Sequence, residues 1–133
     1  NLRLNQYGQV IIGASIRYGK HKQELYDFIE ANKDELKNKR NGFFSVNVVA
    51  RKPNKNSPET NPYIKKFLKI SSWQPNTIAV FAGKLSYPQY RFIDRQMIRL
   101  IMFITKGPTN THGTFEFTNW DHVEQFALKF LEI

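Results

Sequence analysis

The chain contains no cysteine. This absence excludes disulfide bonds, zinc sites with cysteine ligands and cysteine-bound iron–sulfur clusters. Histidine is also scarce: only His21, His112 and His122 occur, and no two of them have the i, i+4 spacing of a helical metal site. The sequence therefore predicts no metal site, and it contains neither a recognisable catalytic triad nor a Walker-type phosphate loop.

Long apolar runs are missing as well, since no stretch reaches the roughly 18 apolar residues that a membrane-spanning helix requires. Positive charge, in contrast, is abundant: 20 lysines and arginines oppose 11 acidic residues, which gives a net charge of +9. Such an excess of positive charge indicates an acidic partner. Three classes are compatible with it: a nucleic acid, an anionic membrane, or a ligand with carboxylates or phosphates. A length of 133 residues predicts one domain, 1–133.

The order of the predicted elements indicates the fold class. Three apolar runs, Val10–Ala14, Phe43–Ala50 and Thr77–Ala82, are nearly continuous, which is typical of strands buried on both faces of a parallel sheet. Segments with the periodicity of amphipathic helices lie between these runs and after the last of them. The predicted helices are His21–Leu36, Asn61–Ile70, Arg91–Ile104 and Asn119–Ile133. This alternation predicts a parallel α/β sandwich.

Two segments exceed a minimal α/β unit. The polar stretch Arg51–Thr60 follows the second strand at the edge where ligands bind, and long loops in that position often form lids. Residues 87–107 form an insertion after the third strand and include the helix Arg91–Ile104. Its wide apolar surface, with arginines repeating every four residues, suits either a membrane surface or packing on the domain core.

Polar residues at the ends of the first two strands are candidates for chemistry. Tyr18 could stack on a flat ligand and Arg17 could bind an anion, although the spacing alone favours an ordinary strand-to-helix turn. Asn47 lies inside an apolar run, so its amide either contacts a ligand or satisfies neighbouring polar groups. Arg51 and Lys52 follow, where they could bind carboxylates or remain solvated.

Four segments together resemble one family, the flavodoxin-type, quinone-linked protoporphyrinogen oxidases of bacteria. They are Ile11–Gly19 (IIGASIRYG), Ser45–Pro53 (SVNVVARKP), Ala82–Arg91 (AGKLSYPQYR) and Asp94–Met102 (DRQMIRLIM). The resemblance implies a flavodoxin-like fold that binds FMN noncovalently. It further implies oxidation of protoporphyrinogen IX to protoporphyrin IX in haem biosynthesis, with electrons passed to a membrane quinone, menaquinone or ubiquinone.

The resemblance also implies where the ligands bind. The loop at Ser15–Gly19 would pack against the isoalloxazine ring, and Phe44–Val49 would lead into the next flavin-side loop. The implied cofactor-binding residues are Ser15, Ile16, Arg17, Tyr18, Gly19, Phe44, Ser45, Val46, Asn47, Val48 and Val49. The substrate's propionates suit four cationic residues: Arg17, Arg51, Lys52 and Arg91. The helix Arg91–Ile104 would then contact the cytoplasmic face of the cell membrane peripherally.

The family's pattern begins with a strand and a loop that wraps the FMN phosphate, and this sequence does not contain them. Val10–Ala14 would then be the third strand of the family's sheet, and the first two would be missing. We therefore expect weak FMN binding, or none, from these 133 residues alone. Two other functions are considered: a flavodoxin-like electron carrier, and a basic nucleic-acid-binding module. No nucleic-acid motif is recognised, so nucleic acid is not an expected partner.

Overall fold

The computed structural model describes residues 4–16, 20–86, 91–104, 106–110 and 113–132. Its centre is a parallel sheet in the order β1-β2-β3. The strands are β1 (Gln9–Ser15), β2 (Arg40–Val46) and β3 (Thr77–Phe81). Each strand overlaps one of the predicted apolar runs, and the predicted α/β class is confirmed.

Helices cover the sheet on its two faces. The helices between the strands are α1 (Gln23–Ala31), α2 (Lys33–Lys37) and α3 (Pro62–Ile70), and α5 (Trp120–Glu132) closes the described chain. Phe43 of β2 stacks on Phe67 of α3 with ring centroids 4.0 Å apart. On the opposite face Phe44 meets Phe126 of α5. Alternating residues of one strand therefore pack against different helical layers.

The predicted burial of every strand on both faces is wrong for β1. Its residues alternate between exposed and half-buried, and Ile11 is 42% exposed. The reason is the position of α5, whose aromatic side chains pack over β2 and β3: the Phe126 ring lies 6.0 Å from that of Phe81. One face of β1 is thus left open in the part of the chain that the structure describes.

Two predicted element boundaries are also wrong. The second strand ends at Val46 rather than Ala50, because the chain turns there into a 3₁₀ turn, Val48–Arg51. The single predicted helix over residues 21–36 is two helices, α1 and α2. The break lies at Asn32, whose side-chain amide donates to the carbonyl oxygen of Phe28 at 2.9 Å and competes with the helical pattern.

The inserted helix lies between the two strands of a short antiparallel ribbon, which was not predicted from the sequence. Strand β4 (Lys84–Ser86) pairs with β5 (Thr114–Glu116). Between them lies α4 (Phe92–Ile104), close to its predicted bounds. Within the described ranges, no helix is long and apolar enough to cross a membrane.

Candidate functional site

The carboxyl ends of the three parallel strands meet at one edge of the sheet. Ser15 is in register with Val46, and Val46 with Phe81. Two further backbone hydrogen bonds extend this edge: the amide of Ile16 donates to the Val46 carbonyl at 3.1 Å, and the amide of Asn47 donates to the Phe81 carbonyl at 2.9 Å. This is the edge where ligands bind in open α/β sheets.

The predicted cofactor residues divide into three groups. Ser15 is exposed at the edge and Ile16 is half-buried beside it. Arg17, Tyr18 and Gly19 lie outside the described residues. The remaining predicted residues belong to the end of β2 and the turn that follows: Phe44, Ser45, Val46, Asn47, Val48 and Val49.

The side chains of Ser45 and Asn47 point into the protein. Ser45 is fully buried, and Asn47 is 4% exposed. The amide nitrogen of Asn47 donates to the hydroxyl oxygen of Ser45 at 3.1 Å. Of the two interpretations of Asn47, these contacts favour the one in which its amide satisfies neighbouring polar groups. A ligand at this edge would meet the backbone of these two residues instead.

Asn61 completes this buried group as the partner of Asn47. Its amide nitrogen donates to the Asn47 side-chain oxygen at 2.9 Å and to the Lys55 carbonyl at 2.9 Å. Its side-chain oxygen caps α3 by accepting from the backbone amides of Tyr63 and Ile64. One side chain therefore joins the end of β2, the segment after it and the start of a helix.

His21 lies at the other end of the same group, which we call the buried polar network: His21, Ser45, Asn47 and Asn61. Its Nε2 is 2.8 Å from the Ser45 hydroxyl oxygen, and the side chain is 4% exposed. Burial, together with the positive charge of Lys66, lowers the pKa of His21 to about 4. The imidazole is therefore neutral at physiological pH, and it fixes the chain just after the loop at Ser15–Gly19.

The segment predicted as a lid is folded in the structure. Its first residue, Arg51, ends the 3₁₀ turn Val48–Arg51, and a second 3₁₀ turn, Pro53–Lys55, lies within it. Along the turn Val48–Arg51, the first backbone amide with a partner inside the turn is that of Ala50, which donates to the Asn47 carbonyl at 3.0 Å. The amides of Val48 and Val49 precede that bond, so they can donate to an acceptor at the sheet edge.

The four predicted substrate cations have different surroundings. Arg17 is outside the described residues, Arg91 is exposed, and Lys52 is half-buried. Arg51 is also half-buried, and its guanidinium donates to the Val48 carbonyl at 3.1 Å. The guanidinium carbon lies 6.0 Å from the centroid of the Phe117 ring. Arg51 thus packs against the residue that follows β5, whereas Arg91 is exposed to solvent.

Gly83 requires its residue type at this edge. Its φ is +77°, and a Cβ there would lie 2.6 Å from a methyl carbon of Val46. Any side chain would therefore be strained and would push on the end of β2. The described residues contain no cluster of histidine, aspartate and glutamate that could hold a metal ion.

Sequence reasoning missed His21 and Asn61 as site residues. His21 was assigned to the start of a helix, and Asn61 to the helix beginning before Pro62. The one available signal was chemical: Asn47 is a polar residue within an apolar run, and such a residue requires a buried partner. Its partner stands 14 positions away in the sequence, so pattern reasoning could not identify it.

The described residues fit the ring system of a flavin, whose edge carries carbonyl oxygens and ring nitrogens. The edge offers backbone amides in the turn after β2 and a hydroxyl at Ser15, and the predicted cofactor side chains that the structure describes are all uncharged. Hydrogen-bond donors of this kind hold the polar side of a flat heterocycle and influence its electronic state.

Comparisons with known proteins identify the family of the chain. The family model of the flavodoxin domain matches residues 1–112. A protoporphyrinogen IX dehydrogenase [quinone] of Escherichia coli K12 is 46% identical over 121 residues, which cover 91% of this chain and 67% of that protein.

A protein with the same name from Leishmania major is 43% identical over 127 residues, covering 96% of this chain and 55% of its own length. No solved structure matches. Both the domain match and the identities extend across the sheet edge described above. The chain belongs to the flavodoxin domain family, and within it to the family of the quinone-linked protoporphyrinogen IX dehydrogenases.

Proposed function

We propose that the protein oxidises protoporphyrinogen IX to protoporphyrin IX and passes the electrons to a quinone. The observation that carries this proposal is the 46% identity over 91% of the chain to an enzyme named for that reaction. Each porphyrinogen loses six hydrogen atoms, which reduce three quinone molecules to quinols. A bound flavin supplies the redox chemistry, because the side chains of the described residues offer none.

The finer part of the proposal is that the flavin is FMN and that it binds at the described sheet edge. The amides of Val48 and Val49 and the hydroxyl of Ser15 would contact its ring. The buried polar network holds the backbone of the first turn in place from below, since Asn61 ties both Asn47 and Lys55. Arg17, Tyr18 and Gly19 complete the proposed ring contacts.

The substrate's propionates require cations near the same edge. Lys52 follows the flavin-side turn directly, and Arg91 lies exposed immediately before α4. Both positive charges can pair with carboxylates, and Arg17 is the third candidate. Arg51 has a different environment, because its guanidinium contacts the Val48 carbonyl and the Phe117 ring.

We further propose that α4 binds the membrane surface peripherally, on its cytoplasmic face, where quinone is available. Among the α4 side chains that the structure describes, four large apolar ones are exposed, and Phe103 is the most exposed at 75%. They are Phe92, Leu100, Phe103 and Ile104. Arg99 is exposed on the same helix and can meet anionic headgroups.

Glutamates in place of Leu100 and Phe103 should weaken this contact at least tenfold, since burying each side chain contributes about 2 kcal/mol. Cosedimentation with vesicles of mixed neutral and anionic lipid measures the effect. Leu128→Glu is the matched control, because Leu128 is an equally apolar, exposed residue of α5. Equal binding by the double variant and the control would contradict the membrane assignment.

The catalytic proposal is tested with protoporphyrinogen, a soluble quinone and the purified protein at its full natural length, rather than the 133 residues alone. We expect the visible absorbance of a flavin, and quinone reduction that depends on the porphyrinogen. Flavin absorbance without porphyrinogen oxidation would instead indicate an electron carrier. Absence of flavin from the protein, with no binding of added FMN, would contradict the proposal.

A further inference from the structure

A small apolar cluster joins α4 to the proposed flavin-side turn. Met102 of α4 is 1% exposed, and the partly buried residues around it come from three elements. We call this group the Met102 cluster: Met102, Ile98, Val48, Phe115 and Phe117. Val48 belongs to the turn after β2, and the two phenylalanines belong to β5 and the residue following it. The inserted helix therefore packs directly on the turn.

Arg51 closes this cluster from the side of the turn. Its guanidinium lies over the Phe117 ring at the distance of a cation–π contact, 6.0 Å, while donating to the Val48 carbonyl at 3.1 Å. One guanidinium group thus contacts both the turn after β2 and the residue after β5. Lysine cannot reproduce this arrangement, because it lacks a flat face and a fork of donors.

The segment after α4 folds back against the same arginine. The Gly107 amide donates to the Met102 carbonyl at 2.6 Å. A Cβ on Gly107 would lie 2.5 Å from the Met102 sulfur and 2.9 Å from a guanidinium nitrogen of Arg51. The backbone therefore approaches Arg51 as closely as a glycine allows, and α4 is held at its carboxyl end as well.

We propose that Arg51 is a positioning residue that fastens α4 to the flavin-side turn Val48–Arg51. It holds the insertion, with its exposed apolar surface, in one fixed relation to the cofactor edge. Arg51 therefore acts on the reaction through Val48 and Phe117, and it is not a ligand of the substrate's propionates. This proposal rests on the proposed function for its catalytic consequence, although the fastening itself does not.

The first experiment separates positioning from propionate binding. Arg51→Met keeps an unbranched apolar stem and removes the charged guanidinium, and kcat/KM is measured with protoporphyrinogen and with its dimethyl ester. Positioning predicts a loss of about tenfold for both substrates, with the ratio of acid to ester unchanged. A loss confined to the acid would overturn the proposal, because only a propionate ligand distinguishes the two.

The second experiment is independent of activity and so of the proposed function. Hydrogen exchange of the α4 amides is followed in the purified protein, and we expect it to accelerate at least tenfold in Arg51→Met. Arg51→Lys and Phe117→Leu should also accelerate it, since the first removes the planar guanidinium and the second removes the aromatic ring. Lys52→Met removes the neighbouring charge and should leave α4 unchanged. Equal acceleration in Lys52→Met, or none in Arg51→Met, would overturn the fastening role.

Discussion

Replacing Asn61 with alanine is expected to lower the free energy of unfolding by about 3 kcal/mol. Loss of the cap on α3 accounts for about 1 kcal/mol. A further 2 kcal/mol or so arises because the Asn47 amide would stay buried without its reciprocal partner. Asn61 is fully buried, so water cannot readily replace the lost contacts. Urea unfolding followed by circular dichroism measures the change.

Two further variants divide this effect. Asn61→Ser keeps a capping oxygen but cannot reach Asn47, so it should cost about 2 kcal/mol. Asn54→Ala makes the same chemical change at an exposed position of the same segment and should cost less than 0.5 kcal/mol. A cost for Asn61→Ala no larger than that of Asn54→Ala would show that the buried polar network does not stabilise the fold.

The same variant tests how the proposed cofactor site is built. Asn61 holds the carbonyl of Lys55 and the side chain of Asn47, which flank the turn Val48–Arg51. If the turn donates to a flavin, Asn61→Ala should also raise the dissociation constant for FMN at temperatures where the variant is fully folded. Asn61→Ser, with the turn still unsupported, should raise it similarly.

Acid is expected to destabilise the protein through His21. Its pKa is about 4 in the folded state and 6.5 in a reference peptide, so the unfolded chain binds the proton more tightly. The contribution of His21 to the free energy of unfolding is therefore fully present above pH 6.5. It falls by about 1.4 kcal/mol per pH unit as the pH decreases towards 4. Unfolding by urea across this range should reveal a total loss of about 3 kcal/mol.

His21→Gln isolates this contribution, because glutamine does not titrate. Carboxylates also respond to acid, among them Glu30, whose pKa is lowered by a hydrogen bond from Ser72 and by Lys33. The difference between the parent and His21→Gln removes their effect. His122→Gln is the control, since His122 is exposed. Parallel pH profiles for the parent and His21→Gln would contradict a neutral, buried His21.

The sheet was predictable because its signal is local. Each strand is a run of apolar residues, and the layers follow from the alternation of strands and helices along the chain. The ends of the elements depend on contacts that no local pattern contains. Strand β2 ends at Val46, where the chain enters a turn and the Asn47 side chain pairs with a residue 14 positions away. The helix break at Asn32 involves one side-chain hydrogen bond.

The candidate site was predictable only in part, for the same physical reason. The polar residue in an apolar run identified Asn47, but both of its interpretations were compatible with the sequence. Arg51 was predicted as a substrate cation from its charge and position; its contact with Phe117 spans 66 positions and was invisible. Strands as short as β4 and β5 leave no periodicity to read.

The ribbon has a consequence for how this fold can change. Ser86 and Thr114 are cross-strand partners, so the chain leaves and re-enters the domain at neighbouring points. The segment between them is a loop whose two ends are already paired in the ribbon. Its length therefore has little effect on the stability of the parallel sheet. Such a segment can be shortened, lengthened or exchanged as a cassette. An exchanged segment would have to preserve the contacts of Arg51 and of the Met102 cluster, because these join it to the rest of the domain.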